Sequence, residues 1–123
     1  MKKIIILIFV LFTFNAFAID KSTTFTNAIF AEAQKAGKTV VINSWNKSCG
    51  TCAMQIKVLQ EAEKEFTDIL FLSFEQTKDK EIAKFLDINF WTTIVVYKNN
   101  EQIAKAIGLV DKNEIYNLIK KGI

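Results

Sequence analysis

Histidine, arginine and proline do not occur in this chain, and cysteine occurs only twice. Lack of histidine removes the commonest metal ligand and the commonest general base. It also excludes haem attachment, which needs a histidine after the second cysteine, where Ala53 stands. Lack of arginine leaves lysine as the sole basic residue. The formal charge is +3, with Lys2 and Lys3 both at the very start of the chain. Elsewhere acids and lysines are interspersed, so there is no basic patch of the kind that nucleic acid or an anionic membrane surface requires. No repeat, linker or low-complexity stretch divides the 123 residues, half of which are hydrophobic. That suffices for one domain around one core.

What is present centres on Ser48-Cys49-Gly50-Thr51-Cys52, which holds both cysteines. A hydrophobic, strand-like run (Thr39 to Ile42) precedes it, and a helix-like run (Ala53 to Phe66) follows. A thiol placed where a strand hands over to a helix sits at the positive end of the helix dipole, beside unpaired backbone N–H groups. Both favour thiolate, so such a cysteine falls well below its free pKa of about 8.5. The second thiol, one helical turn on, is close enough to close a disulfide. The pair therefore suits dithiol–disulfide exchange. A structural staple is the bland alternative, but closing so short a loop removes little chain entropy. A third reading is a Cu(I) carrier built on Cys49, Cys52 and Met54, since two thiolates and a thioether are soft ligands.

The first eighteen residues stand apart. Lys2-Lys3 is a positive n-region, Ile4 to Phe14 is apolar apart from Thr13, and Ala16-Phe17-Ala18 is a small-x-small cleavage signature. Residues 1–18 are expected to be a secretory signal peptide, leaving one domain at 19–123. An uncleaved anchor is the alternative, but the run falls short of the ~20 residues of a membrane span, and Asn15 interrupts it. No cysteine lies near the cut, which excludes a lipoprotein signal. Export of this kind points to a bacterial periplasm, where a disulfide persists.

In chain order, the spacing of Phe25, Ala28, Ile29, Ala33 and Ala36 predicts a helix, with Thr24 as N-cap and Gly37 as its end. Thr39 to Ile42 reads as a central strand covered on both faces. Asn43 to Ser48, with Trp45 inside it, reads as the loop before Cys49. Cys52, Ile56, Leu59 and Phe66 mark the inner face of the following helix. Ile69 to Phe74 is a second buried strand, followed by a polar loop from Glu75 to Lys78. Asp79 to Leu86 is a short helix with Ile82, Phe85 and Leu86 inward, and 87–92 is loop. Thr93 to Tyr97, an Asn99-Asn100 turn and Glu101 to Ile107 form a hairpin, asparagine tolerating positive φ. Gly108 ends it. Asp111 and Glu114 make a capping-box pattern for a last helix with Ile115, Leu118 and Ile119 inward. Phe66, Phe71, Phe74 and Phe85 are expected in the core. The order predicts an α/β domain with a mixed four-stranded sheet and helices on both faces.

The strand before Trp45, the Cys-x-x-Cys, the hairpin with Lys98-Asn99-Asn100-Glu101, Gly108 and the terminal helix together resemble the thioredoxin family across 19–123. That resemblance implies a thioredoxin fold and thiol–disulfide oxidoreductase activity. It makes Cys49 the exposed nucleophile and Cys52 the buried resolving thiol, with Gly50-Thr51 as the dipeptide that tunes the potential. It implies no bound cofactor beyond the Cys49–Cys52 disulfide and no metal. It implies protein or small-thiol disulfide substrates, a redox partner that regenerates the pair, and a monomer. Trp45 reads as a wall beside the disulfide. The departures fall in the same region. Ser48 replaces a tryptophan. Asn43 stands where the family has a buried aspartate that helps deprotonate the resolving cysteine, which makes Glu75 a candidate proton acceptor. Thr92 stands where the family has a cis-proline in its substrate loop. A cis bond before Thr92 costs about 3 kcal/mol, so a trans bond is expected. Trp91 is either an exposed platform for client peptides or core. The alternative from another class is a thioredoxin-fold binding module that holds a client without turnover.

Overall fold

Alternation along the strands divides the core into two clusters, one on each face of a sheet. The structure, a computed structural model, describes residues 23–123. The expected leader at 1–18 lies outside the described residues. The elements are β1 (Thr23–Thr24), α1 (Asn27–Lys35), β2 (Val40–Trp45), α2 (Gly50–Glu65), β3 (Leu70–Glu75), α3 (Lys80–Phe85), β4 (Thr93–Lys98), β5 (Glu101–Ile107) and α4 (Lys112–Lys120). The sheet order is β1-β3-β2-β4-β5. β1, β3 and β2 run parallel, while β4 is antiparallel to both β2 and β5.

Successive strand residues point to opposite faces. Val40, Ile42, Leu72, Phe74 and Val95 therefore join Phe30 and Ala33 of α1 and Ala83 of α3. Val41, Phe71, Ile94 and Val96 join Leu59 and Ala62 of α2 and Ile115, Leu118 and Ile119 of α4. Both faces are covered, which is why β2 reads as one continuous apolar run. No helix among the described residues is long and apolar enough to cross a membrane.

The expected four-stranded mixed sheet is present, with a fifth strand added at its edge. The two residues of β1 pair with Leu72 and Ser73, and the Phe25 N–H donates to the Ser73 carbonyl at 2.8 Å. This addition moves the start of the first helix. Thr24 is strand and Phe25 is buried core, while the N-cap is Thr26, whose hydroxyl accepts the Ile29 N–H at 3.1 Å. β2 also runs three residues further than the sequence suggested, so Asn43 and Trp45 lie on the strand and not in a loop. Glu75 likewise ends β3. Phe85, expected inward, is 63% exposed. The six-residue α3 turns Ala83 inward, and Leu86 follows it at a spacing of three. Phe85 is left at the rim, edge-on to Phe30. The Asn99-Asn100 turn has φ values of 49° and 67°, the left-handed pair that a two-residue hairpin needs. Asp111 caps α4 by accepting the Glu114 N–H at 3.0 Å.

The C-terminus closes against the sheet at Gly122. Its carbonyl accepts the Thr39 hydroxyl. A Cβ there would lie 2.5 Å from Thr39 Cγ2 and 2.9 Å from Val96 Cγ1. Gly122→Ala is therefore expected to cost about 1–3 kcal/mol by overpacking, read as a lowered denaturation midpoint with an unchanged m-value. At the hairpin, Asn100→Ala is expected to cost about 1–2 kcal/mol and Asn100→Gly to be neutral or stabilising, because only the alanine opposes a left-handed backbone. Equal effects from the two Asn100 variants in chemical denaturation would contradict the turn assignment.

Candidate active site

Antiparallel pairing of β2 and β4 brings two distant segments together. Ser44, near the end of β2, lies opposite Thr93, the first residue of β4. The residue before β4 therefore lands where the chain leaves β2 for α2. That residue is Thr92, and the α2 terminus carries Cys49 and Cys52.

Cys49 is the N-cap of α2, with an extended backbone and a half-buried side chain. Its Sγ accepts the Cys52 N–H at 3.1 Å, the capping bond that serine or aspartate makes at other helices. Cys52, in the first turn, is 1% exposed. The two form a disulfide with Cα atoms 5.2 Å apart. Gly50 and Thr51 lie exposed between them. Nothing surrounds the position of a Gly50 Cβ within 4 Å, so packing does not demand glycine there. Asn46 shapes the approach: its Oδ1 accepts the Ser48 N–H at 2.9 Å and its carbonyl accepts the Cys49 N–H at 3.2 Å.

Thr92 closes the site from the other side. The peptide before it is trans, there being no cis bond among the described residues. Its φ is 57°, which for a β-branched residue costs roughly 1–3 kcal/mol. Several hydrogen bonds hold this conformation. The Thr92 N–H donates to the Ser44 carbonyl at 3.0 Å. The Thr92 carbonyl accepts the Gly108 N–H at 2.8 Å and Gln55 Nε2 at 3.2 Å. Thr92 Oγ1 then lies 3.3 Å from Cys49 Sγ and 3.1 Å from Cys52 Sγ. The disulfide sulfurs carry no proton, so only the hydroxyl can donate, to one sulfur or the other.

Two buried residues in this arrangement were not singled out by the sequence reading. Gln55 is fully buried in α2, and its Nε2 also donates to the Leu109 carbonyl at 2.9 Å. It ties the helix to the segments before β4 and after β5. Ser44 is fully buried, and its hydroxyl donates to the Phe90 carbonyl at 2.9 Å, a carbonyl that also accepts the Thr93 hydroxyl at 2.7 Å. A polar residue on an otherwise apolar strand or inner helix face is the signal that marks such positions.

Beneath α2 a cavity of about 420 Å³ is lined by Asn43, Trp45, Ile56, Phe71 and Glu75. Asn43 and Glu75, far apart in sequence, thus share one space. Both are buried, and Asn43 Nδ2 has no hydrogen-bond partner. Glu75 faces Lys78 at 3.6 Å. Ile56, in the cavity lining, stands one helical turn beyond Cys52 on the same side of α2. Trp45 is half-buried in the cavity wall. Trp91 is 43% exposed beside the exposed Phe90, so it is a surface residue and not core. Met54 is 58% exposed. It is two residues from Cys52, a spacing that does not share a helix face. The three proposed Cu(I) ligands are therefore not brought together.

The Thioredoxin family model matches residues 18–121. The chain is 32% identical to a thioredoxin of Mycoplasma genitalium over 87 residues, covering 71% of this chain and 85% of that protein. It is 30% identical to a thioredoxin of Rickettsia prowazekii over 93 residues, 75% of this chain and 89% of the relative. Among solved structures, oxidised mitochondrial thioredoxin 3 of Saccharomyces cerevisiae superimposes with a TM-score of 0.71 at 25% identity, covering 80% of this chain and 93% of that one. Trxlp of Edwardsiella tarda superimposes with a TM-score of 0.74 at 17% identity, covering 78% and 95%, a likeness of fold. With the family model spanning all but the ends of the chain, and a disulfide seated at the start of α2, this protein belongs to the thioredoxin family and is a thiol–disulfide oxidoreductase.

Proposed function

We propose that this is an exported oxidoreductase that exchanges electrons with protein or small-thiol disulfides. Cys49 is the nucleophile and Cys52 the resolving thiol. The observation that carries this assignment is the asymmetry of the pair: Cys49 is half-buried at the helix N-cap and accepts an N–H, whereas Cys52 is buried beneath it. Cys49 thiolate attacks one sulfur of the substrate disulfide, whose other sulfur leaves as a thiolate. Cys52 gives its proton to water or to a nearby acid, for which Glu75 is the candidate, and attacks Cys49 Sγ, closing the Cys49–Cys52 disulfide as the second substrate thiolate leaves. The chain ends oxidised by two electrons and the substrate reduced by two. Run in reverse, the same residues oxidise a substrate dithiol. The pair itself carries the electrons, so no further cofactor enters, and a redox partner regenerates it.

Export to a periplasm rests on the leader signature at 1–18. The family match begins at residue 18, beside the proposed cut. Trp91 with Phe90 offers an exposed aromatic surface next to Thr92 for client peptides. Glu75 is the acid nearest in kind to the aspartate that Asn43 replaces, and the two border one cavity.

Cys49→Ser is expected to abolish exchange, and Cys52→Ser to trap clients as mixed disulfides that run as adducts on non-reducing gels. Equal client binding by both variants without adducts would instead identify a binding module. A redox titration of the pair sets its direction. A midpoint near −270 mV marks a reductant, and one of about −120 to −180 mV an oxidant or isomerase. A pair still oxidised well below about −300 mV marks a structural staple.

Because an amide cannot take the Cys52 proton, resolution of a mixed disulfide is expected to be slow in the wild type. Asn43→Asp is expected to speed it by at least about tenfold, at the low side of the roughly 10²–10⁴-fold that a positioned base contributes. Stopped-flow decay of a preformed mixed disulfide measures this rate. An unchanged rate in folded Asn43→Asp protein rules out deprotonation through this cavity.

A further inference from the structure

We infer that the Thr92 hydroxyl is a single hydrogen-bond donor that serves the two active-site sulfurs in succession, first the Cys49 thiolate and then the Cys52 thiolate. The inference rests on the proposed order of attack, Cys49 before Cys52. Thr92 Oγ1 lies within hydrogen-bond distance of both sulfurs, at 3.3 Å and 3.1 Å, and the residue is buried. A hydroxyl has one proton to donate and lone pairs to accept with. It therefore donates to one sulfur at a time.

The charge decides which. In this oxidised structure Cys49 Sγ receives the Cys52 N–H at 3.1 Å and sits at the N-terminus of α2, the placement that makes it the sulfur to ionise first once the pair is reduced. The Thr92 O–H donates to that thiolate, while Thr92 Oγ1 accepts the Cys52 S–H. One hydroxyl thus holds the negative charge on Cys49 and the remaining proton on Cys52. When Cys49 becomes bonded to substrate, its sulfur loses the charge and the claim on the donor. As Cys52 gives its proton to water or a nearby acid, the O–H turns to Cys52 Sγ and stabilises the second thiolate. Rotation about the Thr92 Cβ–Oγ bond redirects the donor from one sulfur to the other.

The backbone is arranged for this. A β-branched residue at φ 57° is strained, and in that conformation its hydroxyl lies within reach of both sulfurs. Ser44, Gly108 and Gln55 hold Thr92 by its own N–H and carbonyl, leaving Oγ1 with only sulfur partners among the contacts observed. Gln55 acts through Thr92 and is a positioning residue.

Both halves are testable without substrate. In reduced protein, the Cys49 pKa is read from the pH dependence of iodoacetamide alkylation and of thiolate ultraviolet absorbance. In Cys49→Ala protein, the absorbance titration reads Cys52 alone. Thr92→Val keeps the β-branched shape and removes the hydroxyl. It is expected to raise both pKa values, each by about one unit, a tenfold loss of thiolate stabilisation. The midpoint potential of the pair is expected to fall by about 30 mV, the equivalent of that tenfold change. Thr92→Ser keeps the hydroxyl and is expected to restore the wild-type values. Should Thr92→Val fail to fold, Thr92→Gly removes both hydroxyl and strain and is expected to show the same two shifts. A shift in Cys49 without one in Cys52 overturns the succession. No shift in either, or no rescue by serine, overturns the donor role. Because these titrations need no turnover, they can fail while wild-type exchange proceeds. Conversely, exchange that survives Cys49→Ser would sink the order of attack whatever the titrations show.

Discussion

The antiparallel pairing of β2 with β4 is the constraint on which the rest of the site depends. Hydrogen-bond register is discrete: a one-residue slip would flip every side chain to the opposite face. Here the register is fixed by burial on both sides, since Val41 and Ile42 of β2 and Val95 and Val96 of β4 each belong to one of the two core clusters. Once Ser44 lies opposite Thr93, Thr92 has no choice but to face the start of α2. A dithiol encoded at 49–52 and a hydroxyl encoded forty residues later become neighbours through the sheet alone.

The site is then held by polar bonds inside an otherwise apolar fold. Ser44, Gln55 and Thr93 are buried, and their hydrogen bonds converge on the two carbonyls at Phe90 and Thr92. Buried polar groups are tolerated when they are satisfied and costly when they are not. This cluster is mostly satisfied, and it opposes the strain of the left-handed Thr92. Gln55 Oε1 and Asn43 Nδ2 are the exceptions, both without a partner among the described residues. Gln55, on α2, reaches the Thr92 carbonyl, and Asn43, on β2, lines the cavity. Gln76 Oε1 and the Tyr116 hydroxyl are likewise without a partner, so such departures are not confined to the site.

Asn43 and Thr92 therefore have different physical consequences. Asn43 brings an amide to the cavity wall and leaves its donor capacity unused. Thr92 brings a hydroxyl that reaches both sulfurs. The electrostatics of the pair come from three donors or dipoles: the Cys52 N–H, the N-terminus of α2 and the Thr92 O–H.

Much of the fold was legible in local sequence because it follows from periodicity and capping. The β-branched run at Val40 to Ile42, the Asn99-Asn100 turn and the Asp111 cap each depend on neighbours within four residues, and each is where the pattern put it. The Cys-x-x-Cys at a helix start was legible for the same reason. What local patterns could not reach were features created by partners distant in sequence. β1 is two residues long and exists only because β3 offers an edge. β2 extends through Asn43 and Trp45 because β3 continues to pair with it as far as Glu75. Phe85 lies outside because α3 is too short to bury more than one face. The left-handed Thr92, its contact with both sulfurs and the Gln55 bond to its carbonyl are set by sheet register, a property of no single segment. The chain by itself determined that a reactive dithiol would sit at the start of a helix. Tertiary structure decided what that dithiol touches, because the groups that touch it are delivered by strand pairing across about forty residues of chain.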